Sequence, residues 1–222
     1  MKIVGHRGAE GYAPENTLLS FEKAIKLGCD RAELDVRLSK DGEIFVMHDA
    51  AVDRTTDGHG LVAEMTGDEL KNLNCPSGQK IPTLQEVIDV CKGKIDLQIE
   101  LKAGEGLAEK VNGLITKNKI DTQVVISSFE LKYLFQIKNL NQGLKTMFLF
   151  DAFNDGVLAA IKEVPLDYIG PKAAIVTEQM ISMAHAAGVS VYAFGVKDAA
   201  MGKRLEQIRV DDIGTPFPSL FL

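Results

Sequence analysis

Glu33 and Asp35 stand two residues apart in an apolar run, so a β-strand there would project both carboxylates from one face. Glu100 and Lys102 repeat that spacing at the end of another apolar run. Two histidines, His6 and His48, bracket the first acidic pair. Gathered at one spot, Glu33, Asp35 and Glu100 would offer oxygen-only ligands suited to one hard divalent cation, Mg²⁺ or Ca²⁺. Three carboxylates packed together without a cation would repel one another. Imidazole titrates near neutrality, which suits His6 and His48 to general acid and base work. Arg7 offers a planar fork for a phosphoryl oxygen pair; the alternative is a structural ion pair with Glu15 or Asp35. Lys102 can neutralise phosphoryl charge, or simply pair with Glu100. The combination points to metal-assisted phosphodiester cleavage. An aldolase-like lyase with a Schiff base at Lys102 would use fewer of these groups. The other two histidines have blander readings, His59 as a solvated loop residue and His185 as a structural helix residue.

These residues need elements to position them. Short apolar runs alternate with helical patterns, which implies a parallel sheet. Eight runs read as strands: Ile3–His6, Ala32–Val36, Ile95–Leu101, Gln123–Ser127, Thr146–Phe150, Tyr168–Gly170, Ser190–Phe194 and Asp212–Gly214. Helices are expected over Thr17–Leu27, Thr83–Cys91, Leu107–Asn118, Leu131–Leu140, Val157–Lys162, Glu178–Ala187 and Met201–Gln207. Eight strand–helix units in 222 residues fit a (β/α)₈ TIM barrel. A doubly wound open sheet is the rival, but no GxGxxG follows the first strand. In the barrel, His6, Glu33, Asp35, Glu100 and Lys102 fall near the carboxyl ends of the first three strands, where barrel enzymes place their chemistry. Asp41-Gly42 signals a β-hairpin after the second strand, which returns His48 roughly opposite Asp35. A polar, Gly-rich excursion over about 49–80 follows, read as a small insertion over the active face of a single domain spanning 1–222. Pro14-Glu15-Asn16-Thr17 reads as the loop and cap that launch the first helix.

Composition sets the outer bounds. The formal net charge of −6 argues against a nucleic-acid binder, which normally carries a basic face. No apolar run approaches the length of a membrane span, and no signal-peptide pattern opens the chain. Cys29, Cys75 and Cys91 are scattered and odd in number, which favours reduced thiols over a disulfide framework. A soluble, cytoplasmic protein with a small-molecule partner is expected. Self-association is compatible with such a barrel, although no stretch defines an interface.

With these residues in view, the chain resembles the glycerophosphodiester phosphodiesterase family. The resemblance runs through His6-Arg7-Gly8, Pro14-Glu15-Asn16-Thr17, Phe21, Ala24, Glu33-x-Asp35 and Lys40-Asp41-Gly42. It continues through His48-Asp49, Arg54-Thr55-Thr56 with Gly58 and Gly60, Glu100-x-Lys102 and Ser128-Phe129. It implies a phospholipase-C-like barrel that hydrolyses glycerophosphodiesters to glycerol 3-phosphate and an alcohol. By position it implies His6 and His48 as the acid/base pair, Glu33, Asp35 and Glu100 as metal ligands, and Arg7 and Lys102 as phosphate contacts. The C-terminal third departs from the family pattern. Ala193-Phe194-Gly195-Val196-Lys197 stands where a Trp-containing segment is common, and Pro216 stands where an acid is common. Phe194 offers an apolar wall for the substrate without an indole N–H. Other readings are a phosphodiesterase for lysophospholipids or other diesters, and a non-catalytic barrel that binds a phosphoester.

Overall fold

The computed structural model describes residues 1–154, 157 and 164–222. Eight parallel strands close into a barrel: β1 (Lys2–Gly5), β2 (Arg31–Leu38), β4 (Asp96–Ala103), β5 (Val124–Ser128), β6 (Lys145–Phe150), β7 (Tyr168–Pro171), β8 (Ser190–Ala193) and β9 (Asp212–Thr215). The β1–β2 and β1–β9 pairings complete the ring, so the expected TIM barrel is what the chain forms. β3 (Ile44–Val46) lies antiparallel on the outer edge of β2. The helices between strands are α1 (Leu18–Leu27), α3 (Leu84–Cys91), α4 (Leu107–Asn118), α5 (Leu131–Leu140), α6 (Glu178–Ala186) and α7 (Ala199–Gln207). The helix expected over Val157–Lys162 lies outside the described residues except for Val157.

Strand alternation sorts the side chains into two layers. On β4, Leu97, Ile99 and Leu101 join the apolar shell between barrel and helices, while Gln98, Glu100 and Lys102 share the opposite face. The barrel interior is apolar on one side, where Val4, Val125, Met147, Leu149, Tyr168 and Tyr192 cluster. At its base Arg31 pairs with Asp212 at 3.1 Å and stacks on Tyr168. Burial of these polar groups away from the carboxyl end leaves the acidic face of β2 and β4 as the charged side of the opposite mouth.

Two local devices set the geometry of that mouth. β2 runs past the barrel rim and turns at Ser39–Gly42, where Gly42 adopts φ 81° and its N–H donates to Ser39 O. The left-handed conformation explains why glycine follows Asp41. The ladder pairs Val36 with Val46, and Met47 N–H donates to Asp35 O, so Met47 stands opposite Asp35 and His48 lies one residue beyond. The expected hairpin therefore delivers His48 with its register displaced by one position. The excursion after it is more structured than its polar composition indicated. It carries a short helix, α2 (Gly67–Asn72), opened by a Thr66/Glu69 capping box. Phe45, Met47, Val52, Val62, Leu70, Cys75 and Ile81 form a separate small core beneath it.

Candidate active site

β2 and β4 pair in register, with Glu33 beside Gln98 and Asp35 beside Glu100. That register brings one oxygen each from Glu33, Asp35 and Glu100 within 4.8 Å of one another. All three are buried. Burial and the neighbouring Asp35 charge push the carboxyls of Glu33 and Glu100 well above the usual range. Burial acts the same way on Asp35, but Lys102, Arg7 and His48 outweigh it and hold its pKa low. Lys102 Nζ sits 2.5 Å from Glu100 Oε1 and 3.0 Å from Asp35 Oδ1, and Asn16 Nδ2 donates to Asp35 Oδ2 at 2.8 Å. One ammonium and one guanidinium thus face three carboxylates, which leaves one surplus negative charge when all are ionised, and the raised pKa values show Glu33 and Glu100 taking up protons in place of a cation. An oxygen-only, net-negative set of this kind fits a hard divalent cation.

The loop after β1 supplies the next groups. Arg7 and Gly8 take left-handed backbone conformations (φ 49° and 85°), which turn the Arg7 N–H onto Glu33 Oε2 at 2.8 Å. Ser20 Oγ of α1 locks the turn, accepting from Ala9 N–H and donating to Arg7 O. His6 Nδ1 binds Glu10 Oε1 at 2.6 Å, leaving Nε2 4.0 Å from Glu33 Oε2. Burial lowers the His6 pKa, but the Glu10 hydrogen bond and the Glu33 charge outweigh it and raise the net value. Arg7 Nη1 donates to Glu15 at 2.6 Å and Nε lies 3.5 Å from Asp35, so both ion pairs weighed from the sequence are present.

On the far side of the mouth, His48 Nδ1 binds Asp49 Oδ1 at 2.7 Å, and Arg37 donates twice to His48 O. Burial keeps the His48 pKa below its ordinary value. Because an ionised carboxylate only accepts, the Nδ1 contacts assign the proton there and leave Nε2 of each neutral ring as an acceptor.

These groups share one cavity of ≈ 220 Å³. Its charged wall is His6, Arg7, Glu33, His48, Glu100 and Lys102, and its apolar wall is Phe129, Leu149, Tyr192 and Phe194. Phe129 and Phe194 meet edge-to-face at 5.9 Å. Asp35 lies beneath the charged wall rather than on the cavity surface. His59 is solvated and bound to Asp53, and His185 pairs with Asp211; neither lines the cavity. Sequence reasoning assigned no role in the site to Glu10, Asn16, Asp49, Arg54, Gln98 or Tyr192, although Asn16, Asp49 and Arg54 stand in the motifs that carry the family resemblance. Glu10 and Asp49 carried a signal, one four residues and the other one residue from a candidate histidine. Gln98 and Tyr192 carried none beyond strand parity.

A family model described as the glycerophosphoryl diester phosphodiesterase family matches residues 6–220. The chain belongs to that family. Its relatives in this phosphodiesterase family include the glycerophosphodiester phosphodiesterase of Bacillus altitudinis, 34% identical over 98% of this chain and 95% of the relative. Among solved structures, an Oleispira antarctica phosphodiesterase in complex with the product sn-glycerol-3-phosphate superposes with TM-score 0.90 at 29% identity, covering 99% of this chain and 94% of that one. The glycerophosphodiester phosphodiesterase of Agrobacterium tumefaciens gives TM-score 0.87 at 29% identity, covering 100% and 99%. As a member of this family the chain is an enzyme, a phosphodiesterase.

Proposed function

We propose that this phosphodiesterase hydrolyses glycerophosphodiesters to glycerol 3-phosphate and an alcohol, with a divalent cation and with His6 and His48 as the acid/base pair. The observation that carries the reading is the single cavity in which two anchored histidines, Arg7 and Lys102 face a three-carboxylate cluster. A hard cation such as Mg²⁺ or Ca²⁺, held by Glu33, Asp35 and Glu100, supplies a Lewis acid for a phosphoryl oxygen when bound. Arg7 and Lys102 place positive charge against the remaining phosphoryl oxygens, and Phe194 with Phe129 excludes water from one flank. One imidazole takes a proton from the oxygen that bonds to phosphorus, that of water or of the substrate's 2-hydroxyl, and the other gives a proton to the departing alcohol as its P–O bond breaks. After attack by the 2-hydroxyl, water opens the cyclic phosphate in the same way. Their attachment through Nδ1 leaves Nε2 of each ring to do this, the base as neutral imidazole and the acid as imidazolium with a proton on Nε2 as well.

We also place the protein in the cytoplasm, which its three buried free cysteines support. Among the described residues, no helix is long and apolar enough to cross a membrane.

A panel of glycerophosphodiesters assayed with Mg²⁺, with Ca²⁺ and with chelator tests the reading. Glycerol 3-phosphate should appear with at least one metal and vanish with chelator. His6→Ala and His48→Ala should each lower turnover by about 10²–10⁴-fold. Full turnover in chelator would overturn the metal, and full turnover in either variant would overturn the acid/base pair.

A further inference from the structure

Arg54 lies outside the cavity, on the insertion that follows His48. Its guanidinium nevertheless makes two carboxylate forks. Nε and Nη2 donate to Asp49 at 2.6 and 3.1 Å, while Nη1 and Nη2 donate to Glu15 at 2.6 and 2.8 Å. Both acids also hold cavity residues. Asp49 Oδ1 binds His48 Nδ1 at 2.7 Å, and Glu15 Oε1 binds Arg7 Nη1 at 2.6 Å. An unbroken chain of charge-assisted bonds therefore runs Arg7–Glu15–Arg54–Asp49–His48, from the loop after β1 to the segment after β3. We propose that Arg54 is a positioning residue whose two forks set the His48 ring and the Arg7 guanidinium together, so that docking of the insertion completes the site.

Two physical points favour positioning over mere stability. Arg54 is half exposed, so solvent screening limits what its pairs contribute to folding, although their bidentate geometry lifts them above a lone surface pair. The geometry, by contrast, needs a guanidinium, because only a planar fork can grip two carboxylates bidentately at once. Asp49 is held well below the usual carboxylate range, first by the Arg54 hydrogen bond, which keeps it an acceptor for His48 Nδ1–H. That contact fixes the tautomer in which Nε2 is free.

The inference rests on the phosphodiesterase reading, and its test separates the two. Steady-state kinetics on glycerophosphocholine should show Asp49→Asn lowering kcat and Glu15→Gln raising KM. Arg54→Ala should do both, each by about 10- to 100-fold, the cost of losing an orienting partner behind a reacting group. Arg54→Lys should recover only a small part of either effect. Adding Asp49→Asn to Arg54→Ala should lower kcat little further, because both act through one bond chain. Wild-type kcat and KM in Arg54→Ala, or a loss that only follows the unfolded fraction, would overturn the proposal. Should the wild type turn over no glycerophosphodiester, the phosphodiesterase reading fails, and ¹⁵N spectra of the His48 ring still decide the clamp. Displaced ring signals in Arg54→Ala would uphold it, and unchanged signals would overturn it.

Discussion

Each cavity histidine is fastened by Nδ1 to a carboxylate close in sequence, Glu10 for His6 and Asp49 for His48. The acids of the cluster differ from one another in what holds them. Asp35 is compensated by Lys102, Arg7 and Asn16, whereas Glu33 is buried with a single backbone N–H donor and an unfavourable neighbour in Asp35. The two therefore separate on substitution. Glu33→Gln and Asp35→Asn should each weaken divalent-cation binding by about tenfold or more, measured by calorimetry. In chelator near neutral pH, Glu33→Gln should melt at or above the wild-type temperature, since it removes a carboxyl that is ionised in the unfolded chain but must take up a proton on burial, a cost to folding that its raised pKa marks. Asp35→Asn should melt lower, by about 1–3 kcal/mol of lost charge-assisted bonding. Equal melting shifts would show that the unequal compensation is wrong. The acids, the histidines, Arg7 and Lys102 were legible as residues. The Arg7 pairs with Glu15 and Asp35 and the Lys102 pair with Glu100 were legible too. The anchoring of His6 by Glu10 and of His48 by Asp49 was not assigned, because a carboxylate that orients another side chain looks in sequence much like any surface acid.

At the scale of elements, the loop between β1 and α1 does most of the positioning. Gly8 has φ 85°, and a Cβ there would meet Ser20 Oγ at 2.5 Å and the Ser20 backbone at 2.7 Å. Gly8→Ala should therefore cost about 2 kcal/mol or more, read as a lower denaturant midpoint at unchanged slope. Because Ser20 also holds Arg7 O and Ala9 N–H, the same variant should raise KM by displacing Arg7. Unchanged stability would sink this account of the turn. The Asp41-Gly42 hairpin and the Thr17 cap were legible from local chemistry. The α2 helix was not, since six residues carry too little periodicity to stand out in a polar stretch, although its Thr66/Glu69 box is a readable start signal. The single-residue displacement of His48 from Asp35 was equally hidden, because it depends on the turn conformation at Ser39–Gly42.

At the scale of the molecule, barrel closure divides two kinds of interior. Among the described residues, the shell between strands and helices is predominantly apolar, while the barrel lumen is apolar on one side and charged at the mouth. All three thiols are buried, Cys29 and Cys91 in the main shell and Cys75 beneath the insertion. Burial pushes Cys29 and Cys75 up to about 11 and Cys91 up to about 12. A raised pKa means less thiolate at a given pH, and thiolate is the reactive form. At pH 8 the native protein should resist iodoacetamide, and mass spectrometry should count three adducts only after denaturation. Rapid native labelling of Cys75 alone would instead show that the insertion opens independently of the barrel.

The (β/α)₈ order, the hairpin and the chemical groups of the site were determined by sequence alone, because periodicity, turn residues and side-chain type are local properties. Strand parity even placed Glu33 with Asp35, and Glu100 with Lys102, on shared faces. Tertiary structure alone decided that β2 and β4 pair with Asp35 beside Glu100, that Leu149 and Tyr192 face the histidines across one cavity, and that Arg54 reaches back to Glu15. Those relations join residues as much as 186 positions apart in the chain, as His6 and Tyr192 are. They follow from ring closure and register, which no local pattern encodes.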